Sequence, residues 1–188
     1  MSHCLAISGS AGTGKSTLAK QLADRLKLPY VAEGFRTRLD EGLDPHTLSR
    51  EELRDLLLEL YEEANAELNE AVQRDDGFVA DRCSIDFLAF WLHYGFSSEE
   101  EMTEKLYRRS INDVLRYDQV IILPWDAFAI EDDGRRSTNK WLQLKFQSLL
   151  EGLVHRFIPF EKLFWMPAEP TDIGTRVSMI IDRLENQV

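Results

Sequence analysis

The chain begins with an apolar run, residues 3–8, that leads straight into Gly9, Ser10, Ala11, Gly12, Thr13, Gly14, Lys15, Ser16 and Thr17. Gly9 to Ser16 satisfy the phosphate-binding pattern GxxxxGK[ST], with Thr17 after it. Residues 14–26 follow with Leu18, Leu22 and Leu26 at every fourth position, which predicts a helix. A buried strand, a glycine loop and a helix in immediate succession constrain the fold more than any other feature here. The glycines let successive backbone N–H groups turn inward on a phosphate, and the helix start adds its partial positive charge. Lys15 is expected to reach the β- and γ-phosphates of a nucleoside triphosphate, and the Ser16 hydroxyl to ligate Mg²⁺.

Four more apolar runs punctuate the chain: Tyr30 with Val31 and Ala32, Phe78 to Ala80, Val120 to Leu123, and residues 162–166. Helical patterns separate them. Ser49 and Glu52 form a capping box ahead of a stripe running from Leu53 to Val72, and Gly77 closes the break after it. Ser98 and Glu101 predict a second capping box, and further helices are expected over 85–94, from about 138, and over 171–184. The polar segment 34–46 reads as a loop, and Trp91, Trp125, Trp141 and Trp165 as buried or partly buried. Strands alternating with helices imply an α/β fold, a parallel sheet covered on both faces, with the long helices forming a flap beside it. At 188 residues the chain fits one domain.

Charge narrows the partners. Lys and Arg total 22 against 33 Asp and Glu, a formal charge of −11, which argues against nucleic acid and against an anionic membrane surface. Cys4 and Cys83 form no CxxC, and the four histidines have no ligand spacing. With no signal-like or membrane-spanning run, a soluble cytoplasmic protein is expected.

Three further elements converge on the phosphate loop. Asp81 ends an apolar strand and is a candidate for the magnesium shell; Arg82 beside it is a candidate contact for the moving phosphoryl group or its acceptor. Asp126 ends another strand region and rivals Asp81. Glu33 follows the second strand, and in a parallel sheet the carboxyl ends of the strands share one crevice, so it is placed to take a proton from an acceptor hydroxyl. Arg135 and Arg136, in a polar loop, are candidates to close over the phosphates as part of a lid spanning about 126–138. The turn of Pro167, Ala168, Glu169 and Pro170 is the candidate adenine contact, and Trp125 a candidate for an acceptor ring.

The segments GSAGTGKST, VAEGFR, FVADRCSID and EDDGRR together resemble the small P-loop kinase/ATPase family that includes the nicotinamide riboside kinase domain of bacterial NAD-metabolism regulators. VAEGFR followed by DRCSID is also similar to the deoxynucleoside kinases. The resemblance implies a three-layer P-loop fold with strand order 2-3-1-4-5, ATP as substrate with Mg²⁺, Glu33 as base, Arg82 on phosphate or acceptor, and Arg135 and Arg136 as lid arginines. Where that family is often aromatic after the Glu, this chain has Phe35, Arg36, Thr37 and Arg38, and no adenylyltransferase module is attached.

The expected activity is transfer of the γ-phosphoryl group to a hydroxyl of a nucleoside-like small molecule, nicotinamide riboside or a relative, by a protein that could form a homodimer. A nucleoside-monophosphate kinase is the alternative; Arg36, Arg38, Arg108 and Arg109 would supply its acceptor-phosphate pocket. An ATPase without a small-molecule acceptor stands beside it. A GTP-dependent switch is disfavoured, because Asn139-Lys140-Trp141-Leu142 lacks the Asp of NKxD.

Overall fold

A computed structural model of the chain describes residues 2–44, 47–74, 76–127 and 139–186, apart from the side chain of Arg36. Five strands, β1 (Cys4–Ser8), β2 (Tyr30–Val31), β3 (Phe78–Asp81), β4 (Gln119–Ile122) and β5 (Leu163–Trp165), form one parallel sheet in the order β2-β3-β1-β4-β5. Seven helices complete the described chain: α1 (Lys15–Leu26), α2 (Phe35–Asp40), α3 (Arg50–Gln73), α4 (Ser84–His93), α5 (Glu100–Asp113), α6 (Lys140–Phe157) and α7 (Ile173–Glu185).

Side chains of the strands alternate between two cores. Leu5, Ile7, Val79, Ile121 and Leu123 meet Leu18 and Leu22 of α1 and Val177 and Ile180 of α7 on one face. Ala6, Phe78, Ala80, Val120 and Ile122 meet α3, α4 and α6 on the other, through Leu68, Ala71, Ile85, Ala89, Phe146 and Leu150. This two-sided burial is why the strands read as continuous apolar runs and why both faces carry helices. Gly77 admits β3 to the sheet: it sits at φ 67°, and a Cβ there would lie 2.6 Å from the His3 carbonyl oxygen.

A third core forms the flap. Leu57, Leu60 and Tyr61 of α3 pack against Phe87, Leu88 and Trp91 of α4 and Leu106 of α5. The Ser49–Glu52 capping box is present, with both reciprocal hydrogen bonds made.

Four sequence expectations change. Residues 35–40 are the helix α2 rather than loop, tied to α3 by Arg38, whose Nη2 pairs with Glu59 at 2.8 Å and Glu63 at 2.5 Å. Ser98 does not cap α5: residues Phe96–Ser98 make a 3-10 turn and Glu99 takes the cap position without a side-chain bond. Helix α6 starts at Lys140, capped by the Asn139 side chain, which accepts from the Trp141 N–H at 3.0 Å. Trp91 is fully buried as expected, but Trp141 is 63% exposed and Trp165 is also exposed. Among the described residues, no helix is long and apolar enough to cross a membrane.

Candidate active site

Parallel pairing puts Ile7 opposite Asp81 and Ser8 opposite Ile122, so the ends of β1, β3 and β4 open onto one edge. The glycine loop crosses that edge. Gly9, at φ 144°, lies so near β4 that an added Cβ would stand 3.2 Å from the Leu123 carbonyl oxygen. Ser10 anchors the loop. Its carbonyl accepts from Thr13 Oγ1 at 3.0 Å and Lys15 Nζ at 2.7 Å. Its N–H donates to Gln147 Oε1 on α6 at 2.7 Å, and Gln147 Nε2 donates to the Leu123 carbonyl at 3.1 Å and to Glu151 at 2.7 Å.

Lys15 is buried within the loop. Burial and, after it, the nearby Arg82 cation bring its pKa down to about 8, against the pull of Asp81, Glu33 and Asp86. Ser16 is half-buried and Thr17 exposed on the first turn of α1. Asp81 is buried, and its Oδ2 accepts from Tyr30 Oη at 3.3 Å, while its Oδ1 makes no hydrogen bond to any described residue. Asp126, by contrast, is exposed, at φ 64°.

Arg82 is the hub. It holds a positive φ of 90°, a strained value for a non-glycine residue, fixed by its N–H bond to the Ile7 carbonyl at 2.9 Å. Its Nε pairs with Glu33 Oε1 at 2.6 Å; its Nη1 donates to Asp86 Oδ1 at 2.8 Å and to the Gly9 carbonyl at 3.1 Å. The guanidinium lies over the Phe90 ring, 4.6 Å from its centroid. Burial opposes the Arg82 charge, but Glu33, Asp86 and Asp81 outweigh it and raise its pKa further.

Glu33 borders a narrow cleft whose other walls are Phe35, Leu57, Leu60, Phe87, Phe90 and Tyr94. Among the described residues, Glu33 is the single charged group on this apolar, aromatic lining. Burial pushes the Tyr94 phenol up. Trp125 is half-buried and does not line the cleft.

The structure thus brings Lys15, Glu33, Asp81 and Arg82 together, linked by the contacts above and by mutual charge. Arg135 and Arg136, with lid residues 128–138, lie outside the described residues. Of the arginines named for an acceptor phosphate, Arg38 pairs with Glu59 and Glu63, Arg109 with Glu62, and Arg108 with Glu104, while the Arg36 side chain lies outside the described residues. In the turn 167–170, two carbonyls are taken up from within: buried Arg176 on α7 donates to the Pro170 oxygen at 2.8 Å and the Ala168 oxygen at 3.0 Å. Replacing Arg176 by Leu should cost about 3 kcal/mol, the worth of two charge-assisted bonds. The check is a lowered urea midpoint with an unchanged slope.

Sequence reasoning missed Asp86, Gln147 and Arg176. Only Asp86 left a local trace, as a charged residue four positions after Arg82 in the otherwise apolar segment SIDFLAFWLH.

A family model described as an AAA domain, AAA_28, matches residues 4–163, and the chain belongs to this P-loop family. Its fold is similar to that of the NadR protein in complex with NR, with a TM-score of 0.70 at 21% identity over 98% of this chain. The chain spans about half of that protein, 50% of its length. Deoxyadenosine kinase from M. mycoides with bound dATP matches at a TM-score of 0.60 and 16% identity, covering 96% of this chain and 98% of that one. Thymidylate kinase from Ehrlichia chaffeensis matches at 0.64 and 14%, covering 98% of both. At these identities the likeness shows the P-loop kinase-like fold. A sequence comparison with curated proteins returned no match.

Proposed function

We propose that the chain is an ATP-dependent kinase that transfers the γ-phosphoryl group to a hydroxyl of a nucleoside-like acceptor. The observation that carries this reading is the position of Glu33: among the described residues it is the one charged group on an aromatic cleft, and it is ion-paired to Arg82, which also holds the Gly9 carbonyl of the phosphate loop. A flat, mostly apolar ring suits Phe35, Phe90 and Tyr94, and a sugar hydroxyl needs a base at the polar end. The related folds support it: the NadR structures carry NR, or NAD and AMP-PNP, and another neighbour carries dATP.

In this reading the loop 9–17 holds the triphosphate with its N–H groups, and Lys15 exchanges the Ser10 carbonyl for phosphate oxygens. Mg²⁺ fits the residues present. Asp81 offers a buried carboxylate oxygen without a partner and Ser16 a hydroxyl, both hard oxygen donors. When bound, Mg²⁺ would neutralise charge on the β- and γ-phosphates. Glu33 accepts the hydroxyl proton while Arg82 fixes its carboxylate and offers charge toward the transferring group. Arg135 and Arg136, in a lid over 126–138 of a single domain, would add cations on closure. A cytoplasmic setting and a possible homodimer belong to the same reading.

The cleft lining also favours a nucleoside over a monophosphate, since among the described residues none of its side chains is a cation and Arg38, Arg108 and Arg109 are engaged by carboxylates. The test is ADP release across a panel of nucleosides, nicotinamide riboside included, and their 5′-monophosphates. A nucleoside is expected to raise turnover well above the basal rate. Stimulation by monophosphates alone would replace this reading with a nucleotide kinase.

Gln147 should matter for the nucleotide half. Gln147→Leu removes the acceptor of the Ser10 N–H, and MgATP affinity measured by calorimetry is expected to weaken about ten-fold, the scale of one hydrogen bond. Unchanged affinity would mean that the loop holds its shape without α6.

A further inference from the structure

We propose that Asp86 is a positioning residue for phosphoryl transfer, holding Glu33 in register with the phosphate loop through Arg82; this rests on the kinase reading above. Asp86 is fully buried on α4, and four donors converge on its carboxylate. Oδ1 accepts from Arg82 Nη1 at 2.8 Å, and Oδ2 accepts from Ser8 Oγ at 2.5 Å, the Cys83 N–H at 3.0 Å and Cys83 Sγ at 3.3 Å. Ser8 is the last residue of β1 and directly precedes Gly9, whose carbonyl Arg82 also holds. The contacts therefore close a ring of Arg82, Asp86, Ser8 and Gly9, to which Glu33 is ion-paired through Arg82 Nε.

Capping alone does not call for an ionised group in this place. The Cys83 N–H needs one acceptor, which a neutral Gln at this third helical position supplies. A fully desolvated carboxylate is costly, and buried ion pairs are often no more stabilising than apolar residues of the same volume. What the second carboxylate adds is a fixed direction for Arg82. With Glu33 and Asp86 on different nitrogens, the guanidinium is held from both sides, and its charge is shared rather than spent on Glu33 alone. The Glu33 carboxylate then keeps one defined orientation at the mouth of the cleft without being fully neutralised.

The test is a double-mutant cycle on acceptor-dependent turnover with Asp86→Asn, Glu33→Gln and the pair. Asp86→Asn is expected to lower kcat about 30-fold, with MgATP affinity within about two-fold of native, and the pair to be no slower than Glu33→Gln alone. A general structural role would not produce that non-additivity. Losses that multiply, or a native kcat in Asp86→Asn, would overturn the inference. Should Asp86→Asn not fold, Ser8→Ala removes one of the four donors; it is expected to lower kcat about three-fold in the native background and not at all beside Glu33→Gln, and equal effects in both backgrounds overturn the inference. Absence of any acceptor-dependent turnover in the native protein would instead remove the kinase reading, and this inference with it.

Discussion

Glu33→Gln is expected to lower acceptor-dependent kcat by about 10²–10⁴-fold, the usual worth of a positioned general base, with MgATP affinity little changed. The substitution preserves the shape of the side chain, and Arg82 keeps its bonds to Asp86 and the Gly9 carbonyl. The loop around Lys15 and Ser10 is untouched, so nucleotide binding gives an internal control. Steady-state kinetics against ATP and acceptor separate the two. A kcat within about three-fold of native would show that Glu33 orients the acceptor or merely anchors Arg82, and takes no proton.

Lys15→Ala should act on the other substrate. Loss of a preorganised cation at the β- and γ-phosphates is expected to reduce kcat/KM for ATP by about 10²–10³-fold. Stability should move little or rise. Burial already brings the Lys15 pKa down to about 8, so the folded chain holds that proton less tightly than the unfolded one does, and the charged lysine opposes folding. A thermal melt alongside the kinetics distinguishes the outcomes: an inactive variant with a native or higher Tm fits a lysine kept for its ligand, and a collapsed Tm would recast it as a structural residue.

Local sequence carried the elements that depend on neighbours along the chain. The glycine loop, the apolar strands and the Ser49 capping box were readable because each is set within a few residues. Asp81, Glu33 and Arg82 could be brought to one edge from topology alone, since parallel strands share that edge. Helix α2 was not readable: its polar residues pay off only through Arg38 meeting Glu59 and Glu63 across a 21- and 25-residue gap. Gln147 was invisible for the same reason, with 137 residues between it and Ser10. Arg176 reads as an ordinary exposed helix cation until the fold lays the 167–170 turn over it. Asp86 was readable in principle, because a carboxylate four residues after an arginine on an apolar helix must find a buried partner.

The most direct test of the central claim follows the γ-phosphoryl group itself. ATP labelled in that group, mixed with the protein, Mg²⁺ and the best acceptor of the panel, should deliver the label to a phosphate monoester of the acceptor in step with ADP formation. Label recovered solely as inorganic phosphate, whatever nucleoside is present, would contradict the account and leave an acceptor-free ATPase.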